Sequence, residues 1–385
     1  MDHDVSAAVI ASRDAVKRGK SLVAALRDKP LVIYGAGTLG RRVAAEFVDR
    51  GAAPVAFADA DECKHGSLVD GIRVLSPPDA VRAAGPGCCA IVAVWNPHGH
   101  SFQQSAHLLG IAGCTSVVSF PAVAVGLSGL LPHFFLDHPR LLWEDRERIA
   151  MGYDTLADAA SREVFLAHLR WRLGIPWPGR FVRDEPQYFP DGLFVQRDDE
   201  VFVDCGAYDG DTVRSFIGLW PHFALCHAYE PDPENLVRLR RMLRGLPAAV
   251  SERVVVHDAA TSDIAGESRF LPCGDGGRVA LDGGLVVRTV RLDDEPLGYP
   301  PTLIKADVEG AEEATLRGTR RLVHDHSPVL AVCVYHRPSD LWELPLLCRR
   351  LGRDYILHLR AHGFDGWETV LYAVPPGRST ARFHR

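Results

Sequence analysis

Carboxylates follow four apolar segments in the second half of the sequence. In an open parallel α/β sheet a ligand binds beyond the carboxyl ends of the strands, so side chains that follow successive strands meet at one edge. Carboxylates at that edge accept hydrogen bonds from hydroxyl and amino groups of a ligand. The sequence therefore predicts one ligand site, built from Asp204 after residues 201–203, Glu230 after residues 225–229, Asp258 after residues 254–257 and Asp307 after residues 303–306.

The turn after the first of these strands discriminates between nucleotide ligands. Residues 204–212 contain three aspartates, Asp204, Asp209 and Asp211, whereas a phosphate-binding turn presents N–H groups. These carboxylates would repel a phosphate but would attract a cationic sulfonium and an amino group. The residues therefore point to S-adenosylmethionine as the cofactor.

The elements that must position these carboxylates alternate between strands and helices. A fifth apolar segment, residues 329–334, ends in Tyr335 and His336, and residues 355–359 and 369–374 can pair across a Gly-containing turn. Five strand–helix steps closed by a hairpin are expected to give seven strands. The predicted fold class is α/β, with a C-terminal seven-stranded Rossmann-like sheet preceded by a smaller Rossmann-like α/β domain.

Four motifs lie in residues 200–376. They are V-F-V-D-C-G-A-Y-D-G-D-T from Val201, Y-E-P-D-P-E-N-L from Tyr229, I-K-A-D-V-E-G-A-E from Ile304 and V-Y-H-R-P-S-D-L-W-E-L-P from Val334. Together they resemble the FkbM-type family of S-adenosylmethionine-dependent methyltransferases, and the motif from Ile304 is the most specific. The resemblance implies a class I methyltransferase sheet, and one subgroup of the family is similar in having a small Gly-rich domain before it. Tyr208 stands where members usually carry Asn.

The resemblance also implies which residues hold the cofactor. The first turn would line its methionine and ribose part, and Glu230 would accept hydrogen bonds from the ribose hydroxyls. Asp258 would accept from the adenine amino group, although an ordinary strand-end cap is its alternative role. The predicted set is Asp204, Gly206, Ala207, Tyr208, Asp209, Glu230, Pro231, Asp258, Ala259 and Asp307.

Methyl transfer to a hydroxyl requires a group that removes the proton of the acceptor. His336 is the first candidate, because histidine is the side chain that titrates near neutral pH, and Asp307 is the second. Lys305 completes the predicted catalytic set. As alternatives, Lys305 could form a structural ion pair with Asp307 or Glu309, and His336 could be a loop residue. Asp307 and Glu309 could also hold a divalent ion, but no third ligand follows at a clear spacing, so no metal site is predicted.

A second glycine-rich turn lies near the N-terminus. A helix over residues 5–28 and a strand over residues 31–34 precede G-A-G-T-L-G, and an acid follows the next apolar run. This is the order of a mononucleotide-binding half, in which the glycines admit a phosphate and the acid binds a ribose hydroxyl. The same turn can instead serve only to pack a helix on a strand. The second candidate nucleotide site is Gly35, Gly37, Gly40 and Asp59.

The length of 385 residues predicts two or three domains, and a Pro- and Gly-rich stretch over residues 176–192 marks a connector between two of them. We expect a Rossmann-like domain over residues 1–124, a helical, Pro-rich connector over residues 125–195 and the methyltransferase domain over residues 196–385. Within the connector, residues 143–174 are predicted to form one helix, because apolar residues recur at helical spacing.

Charge and cysteine usage exclude several functional classes. Lys and Arg number 43 against 49 Asp and Glu, so the net charge of −6 argues against nucleic acid as a partner. The nine cysteines form no C-x-x-C motif, which favours a reducing, cytoplasmic location. No signal peptide and no apolar span of about 20 residues are evident, so no membrane association is expected. The expected partner is a small-molecule acceptor, and a homodimer stays open.

Three functions from different classes remain. The favoured one is O-methylation of a hydroxyl on a small molecule, such as a sugar or a secondary metabolite. The second is an NAD(P)- or nucleotide-sugar-binding oxidoreductase or epimerase that uses the N-terminal turn, although no Tyr-x-x-x-Lys pair follows that turn. The third is a non-catalytic regulatory protein that binds S-adenosylmethionine.

Overall fold

The first half of the chain alternates strands and helices, as its apolar periodicity predicts. A computed structural model describes residues 3–95, 100–176, 186–272, 277–280 and 282–380. The first sheet has six strands in the order β3-β4-β2-β1-β5-β6, and all neighbours are parallel except β3 and β4. Its elements are α1 (His3–Arg27), β1 (Leu31–Tyr34), α2 (Thr38–Val48), β2 (Ala56–Ala58), β3 (Leu68–Val69), β4 (Ile72–Leu75), α3 (Pro77–Ala84), β5 (Cys89–Val92), α4 (Phe102–Ile111) and β6 (Ser116–Ser119).

Short helices follow this sheet, and the prediction of one helix over residues 143–174 is wrong. The segment is interrupted at Asp145 and again between residues 155 and 158. The carboxylate of Asp158 accepts the N–H of Ser161 at 2.7 Å, and this local bond begins a new helix instead of continuing the old one. The helices are α5 (Phe120–Ala124), α6 (Arg140–Glu144), α7 (Arg146–Asp154) and α8 (Ala159–Arg172).

The second half contains the predicted seven-stranded sheet. Its order is β16-β17-β15-β14-β7-β8-β9, with parallel pairs except those made by β17. β7 and β14 lie in the middle and are buried along their whole length, so the acids at their ends emerge from the core. The elements up to the fourth parallel strand are β7 (Val201–Cys205), α9 (Asp211–Leu219), β8 (Leu225–Tyr229), α10 (Pro233–Arg244), α11 (Ala248–Ser251), β9 (Val254–His257), β10 (Ala260–Thr261), β11 (Gly266–Leu271), β12 (Arg278–Val279), β13 (Leu285–Val290) and β14 (Leu303–Ala306). The remaining elements are α12 (Glu312–Arg317), α13 (Arg320–His326), β15 (Val329–Cys333), α14 (Asp340–Leu351), β16 (Ile356–Ala361) and β17 (Thr369–Val374).

A third, four-stranded sheet was not predicted. Its order is β10-β13-β11-β12, and it has a small core of its own made by Ala260, Phe270 and Val287. Two of its strands are only two residues long, and β11 buries few of its side chains, so the apolar pattern is weak. The alternation of exposed and buried residues in β13 is the signal that could have indicated a strand.

The chain divides into two units. The residues predicted as a connector, 125–195, belong partly to each of them. None of the helices in the described parts of the chain has the length and apolar character needed to cross a bilayer. Unit 1 contains Met1–Ala150, Glu163–Arg183 and Gly363–Glu368, and unit 2 contains Met151–Arg162, Asp184–His362 and Thr369–Arg385.

The packing of α2 on β1 predicts opposite effects for two helical glycines. A Cβ atom at Gly40 would clash with the carbonyl oxygen of Gly35, whereas a Cβ atom at Gly110 in α4 would meet nothing within 4 Å. We expect Gly40→Ala to lower the free energy of unfolding by about 1–3 kcal/mol. The control Gly110→Ala should leave it unchanged or raise it by up to about 1 kcal/mol. Urea denaturation of both variants checks this, and equal stabilities would contradict the packing role of Gly40.

Candidate functional site

The turn after β7 requires glycine at position 206. Gly206 has a φ of +83°, and a Cβ atom there would clash with the carbonyl oxygen of Asp307. The N–H groups of Gly206 and Ala207 both donate to the carbonyl oxygen of Tyr229, at 3.0 Å. The turn is therefore held between the ends of β8 and β14.

Tyr208 adopts a left-handed backbone conformation, with a φ of +48°. Asn, the residue expected at this position from the sequence resemblance, enters this region more readily than Tyr. The N–H of Tyr208 donates to Glu230 Oε2 at 2.8 Å. The backbone of Tyr208 thus links the first turn to the end of β8.

Lys305 pairs with Asp204 and not with Asp307 or Glu309, the partners considered from the sequence. Its Nζ lies 2.9 Å from Asp204 Oδ1 and donates to the carbonyl oxygen of Gly206 at 2.6 Å. Both side chains are buried. Burial lowers the pKa of Lys305, but the negative charges of Asp204 and Asp307 outweigh it and raise the pKa. Lys305 therefore stays protonated and holds the turn, so it cannot remove a proton from an acceptor.

Asp204 retains an open acceptor position. Burial raises its pKa to about 6, and the charge of Lys305 opposes that rise. Its Oδ2 has no hydrogen-bond partner among the described residues. Because buried polar atoms are normally bonded, this oxygen marks a position where a ligand donor would be accommodated.

Glu230 lies at the end of β8 and is 5% exposed. Its carboxylate accepts N–H bonds from Tyr208 and Asp232, each at 2.8 Å, and a longer one from the Asn235 side chain at 3.5 Å. Burial raises its pKa to about 7, although these bonds lower it. The bonds fix the orientation of the carboxylate and leave lone pairs for a ligand, since two carboxylate oxygens offer about four acceptor positions.

The other predicted cofactor residues differ in how deeply they are buried. Ala207 and Ala259 are buried, whereas Asp209 and Pro231 are half-buried. Asp258 follows β9 and is exposed, and the preceding His257 stacks on Tyr229 with ring centroids 4.1 Å apart. The first turn, Glu230 and Asp307 are thus brought together at the ends of adjacent strands, while Asp258 lies at the edge strand of the sheet.

A cluster of acids surrounds the predicted base at the carboxyl ends of β14 and β15. We call it the His336 cluster; its members are Asp307, Glu309, Glu312 and His336. His336 Nδ1 lies 2.8 Å from Glu312 Oε1, and His336 Nε2 lies 3.5 Å from both Asp307 Oδ1 and Glu309 Oε2. Glu312 also accepts the N–H groups of Val308 and Gly310, so it orders the loop that carries the other acids.

The charge of this cluster is dominated by carboxylates. Burial lowers the pKa of His336, but Glu312 and Glu309 outweigh burial and hold it well above its usual value. Burial raises the pKa of Asp307, whereas Lys305 and His336 lower it overall. The hydroxyl of Tyr188 also donates to Asp307 Oδ2 at 2.7 Å. The cluster therefore attracts positive charge.

Glu312 and Tyr188 are site residues that the sequence reasoning missed. Glu312 is the last residue of the I-K-A-D-V-E-G-A-E motif, so the signal was present and only its role was not assigned. Tyr188 lies in a Pro-rich segment without periodicity, and its aromatic ring lies 5.2 Å from Lys305 Nζ. No local pattern could have linked it to Asp307.

The N-terminal turn brings Gly35, Gly37, Gly40 and Asp59 together as predicted. A Cβ atom at Gly37 would meet nothing within 4 Å, so the turn is open at this point. Asp59 accepts the N–H of Ala36 at 2.8 Å and of Asp61 at 2.9 Å, and Lys64 Nζ lies 3.1 Å from it. Burial raises the pKa of Asp59, but these partners lower it overall. The carboxylate therefore closes the turn internally.

Part of the second half of the chain is similar to a known protein family. Residues 204–365 match the model of the methyltransferase FkbM domain. The solved structure of methyltransferase FkbM from Methylobacillus flagellatus KT is 24% identical, with a TM-score of 0.73 over 96% of this chain and 99% of that chain, so the two share a fold. The family resemblance and the seven-stranded fold class are thus confirmed.

Two further solved structures match less than half of the chain. Precorrin-6y C5,15-methyltransferase from Geobacter metallireducens GS-15 is 18% identical, with a TM-score of 0.30 over 46% of this chain and 79% of that chain. Aeropyrum pernix fibrillarin with bound S-adenosyl-L-methionine is 14% identical, with a TM-score of 0.29 over 48% of this chain and 70% of that chain. No curated protein sequence matches the chain.

The buried ion pair predicts a large effect of removing its cation. Lys305→Met leaves Asp204 as an uncompensated buried charge, so we expect the free energy of unfolding to fall by about 3–5 kcal/mol. The double variant Lys305→Met/Asp204→Asn removes that charge and should recover part of the loss. Urea denaturation measures both, and a single variant within about 1 kcal/mol of the wild type would show that the pair does not support the turn.

Proposed function

We propose that the chain transfers a methyl group from S-adenosylmethionine to a hydroxyl oxygen of a small molecule, such as a sugar or a secondary metabolite. The match of residues 204–365 to the model of the methyltransferase FkbM domain supports this proposal. The observation that carries the proposal is a pair of buried carboxylates, Asp204 and Glu230, at the ends of adjacent strands. Asp204 has an oxygen without a partner, and Glu230 lacks a cationic partner among the described residues.

The residues at this edge fit the cofactor. S-adenosylmethionine supplies a methyl group bound to a positively charged sulfur, together with ribose hydroxyls and an amino group. Glu230 would accept the ribose hydroxyls, for which a fixed carboxylate is well suited. Asp204 would accept the amino group through its open oxygen.

We assign the binding of the methyl acceptor to the His336 cluster. β14 carries Asp307 and pairs directly with β7, which carries Asp204, so the cluster adjoins the cofactor residues. Methyl transfer to a hydroxyl requires that its proton be removed or its oxygen polarised. Charged groups fixed at such a position act without reorganisation. Asp307 is the candidate that would accept the proton, whereas His336, whose pKa is held well above its usual value, is protonated and would polarise the oxygen.

Binding of S-adenosylhomocysteine tests the proposed cofactor site. We expect Glu230→Gln to weaken it about 10- to 100-fold, because the charged acceptor of the ribose hydroxyls is replaced by a neutral amide. The matched control is Glu234→Gln, which alters a carboxylate that is 85% exposed on α10 and should leave the affinity unchanged. Isothermal titration measures both, and circular dichroism confirms that the variants fold.

Three outcomes of this titration bear on the alternatives. If Glu230→Gln binds S-adenosylhomocysteine as tightly as the wild type, Glu230 does not bind the ribose hydroxyls. Tight binding of NAD(P) or a nucleotide sugar, without binding of S-adenosylhomocysteine, would favour the oxidoreductase or epimerase. Binding of S-adenosylhomocysteine without methyl transfer to any of a panel of hydroxyl acceptors would favour the regulatory protein.

The affinity for S-adenosylhomocysteine should depend on pH. Since burial raises the pKa of Glu230 to about 7, the carboxylate is protonated below that pH and ionised above it. Affinity should therefore rise between about pH 6 and pH 8, and binding near the middle of this range should release a proton. Titration in buffers of different ionisation enthalpy measures the proton. Asp204 also titrates near this range, so the assignment fails if Glu230→Gln shows the same pH dependence.

A further inference from the structure

Three side chains with metal-binding atoms converge in the His336 cluster. One ligand atom from each of Asp307, Glu312 and His336 lies within 4.8 Å of the others. The residues come from the ends of β14 and β15 and from the start of α12, so only the fold brings them together. The sequence shows no third ligand at a clear spacing from Asp307. The fold supplies one, His336, from the end of the neighbouring strand β15.

Two buried atoms of this cluster have no hydrogen-bond partner among the described residues. They are His336 Nε2 and Glu312 Oε2, and their side chains are 4% and 1% exposed. Buried polar atoms without partners are rare because they lose their hydration without replacement. Both belong to the set that converges, so the cluster has open positions for a cation.

Charge leads to the same conclusion. Asp307, Glu309 and Glu312 surround a single imidazole, and the neighbouring Lys305 is already engaged by Asp204. Burying several carboxylates close together is costly unless a cation accompanies them. A proton on His336 compensates part of this charge, and a metal ion would compensate more of it.

We propose that the His336 cluster binds one divalent transition-metal cation through Asp307, Glu312 and His336, with Glu309 at its edge. Two carboxylates and one imidazole suit Mn²⁺, since Mg²⁺ favours ligand sets made only of oxygen and soft thiolate ligands are absent from the cluster. The side chain of Asp307 is 22% exposed, so one side of the site is open to a ligand.

The role of such a cation in catalysis rests on the proposed function, whereas its binding does not. A divalent cation lowers the pKa of a hydroxyl that coordinates it, so it would favour loss of the acceptor's proton. His336 then acts as a ligand of the cation and not as the base.

Titration of the metal-stripped, full-length chain with MnCl₂ tests the site without any methyl donor. The signal of free Mn²⁺ in electron paramagnetic resonance should reveal one saturable site per chain. Asp307→Asn and Glu312→Gln should each weaken binding at least about tenfold, because each removes a charged ligand. The matched control is Glu313→Gln on the same helix, whose carboxylate is 44% exposed and pairs with Arg317; it should bind as the wild type does.

Pulsed resonance of bound Mn²⁺ keeps the test valid if the variants do not fold. Coupling to a nitrogen nucleus in the wild type would show that an imidazole is a ligand, as His336 is expected to be. Absence of saturable binding, bound Mn²⁺ with oxygen ligands alone, or unchanged affinity in both folded variants would each overturn the proposal. None of these results depends on S-adenosylhomocysteine, whose binding tests the proposed function separately.

Discussion

The ion pair between Lys305 and Asp204 is the interaction on which the rest of the site depends. The two residues are register partners on β14 and β7, the central strands of the seven-stranded sheet, and both side chains are buried. Removing two charges from water is costly, so each requires the other. The ammonium of Lys305 also donates a hydrogen bond to the carbonyl oxygen of Gly206. The conformation of the first turn therefore depends on how the two strands pair. Strand register therefore fixes the site.

Further contacts connect this ion pair to the end of β8 on one side and to the His336 cluster on the other. Gly206 approaches the backbone of Asp307 so closely that no side chain could be placed there. The next turn residues bond to the end of β8, and Tyr208 orients Glu230. On the other side, the carboxylate of Asp307 meets Tyr188 and His336. Asp307 thus belongs to both groups: its backbone packs against Gly206 of the first turn, and its side chain belongs to the His336 cluster.

The sequence predicts the parts of this arrangement that depend on local pattern. Strands buried along their whole length, such as β7 and β14, read as continuous apolar runs, and the acids that follow them were placed correctly at the carboxyl edge. The partners of these acids depend on the fold. Lys305 was expected to pair within its own turn, yet its partner is 101 residues away because the strands are neighbours. The small third sheet was missed because short strands carry too few residues to show a period.

Each of the two glycine-rich turns contacts one carboxylate, Asp59 or Glu230. The two carboxylates differ in whether a cationic side chain lies beside them. Asp59 and Glu230 follow equivalent strands, and each accepts one N–H from the preceding turn and one from the residue two positions further on. Lys64 adds an ammonium to Asp59 and contributes to lowering its pKa, whereas Glu230 is buried without a cation among the described residues and its pKa is raised. A carboxylate that already has its cation gains little from a ligand. Glu230 lacks such a partner among the described residues, which supports placing the proposed cofactor at the second turn.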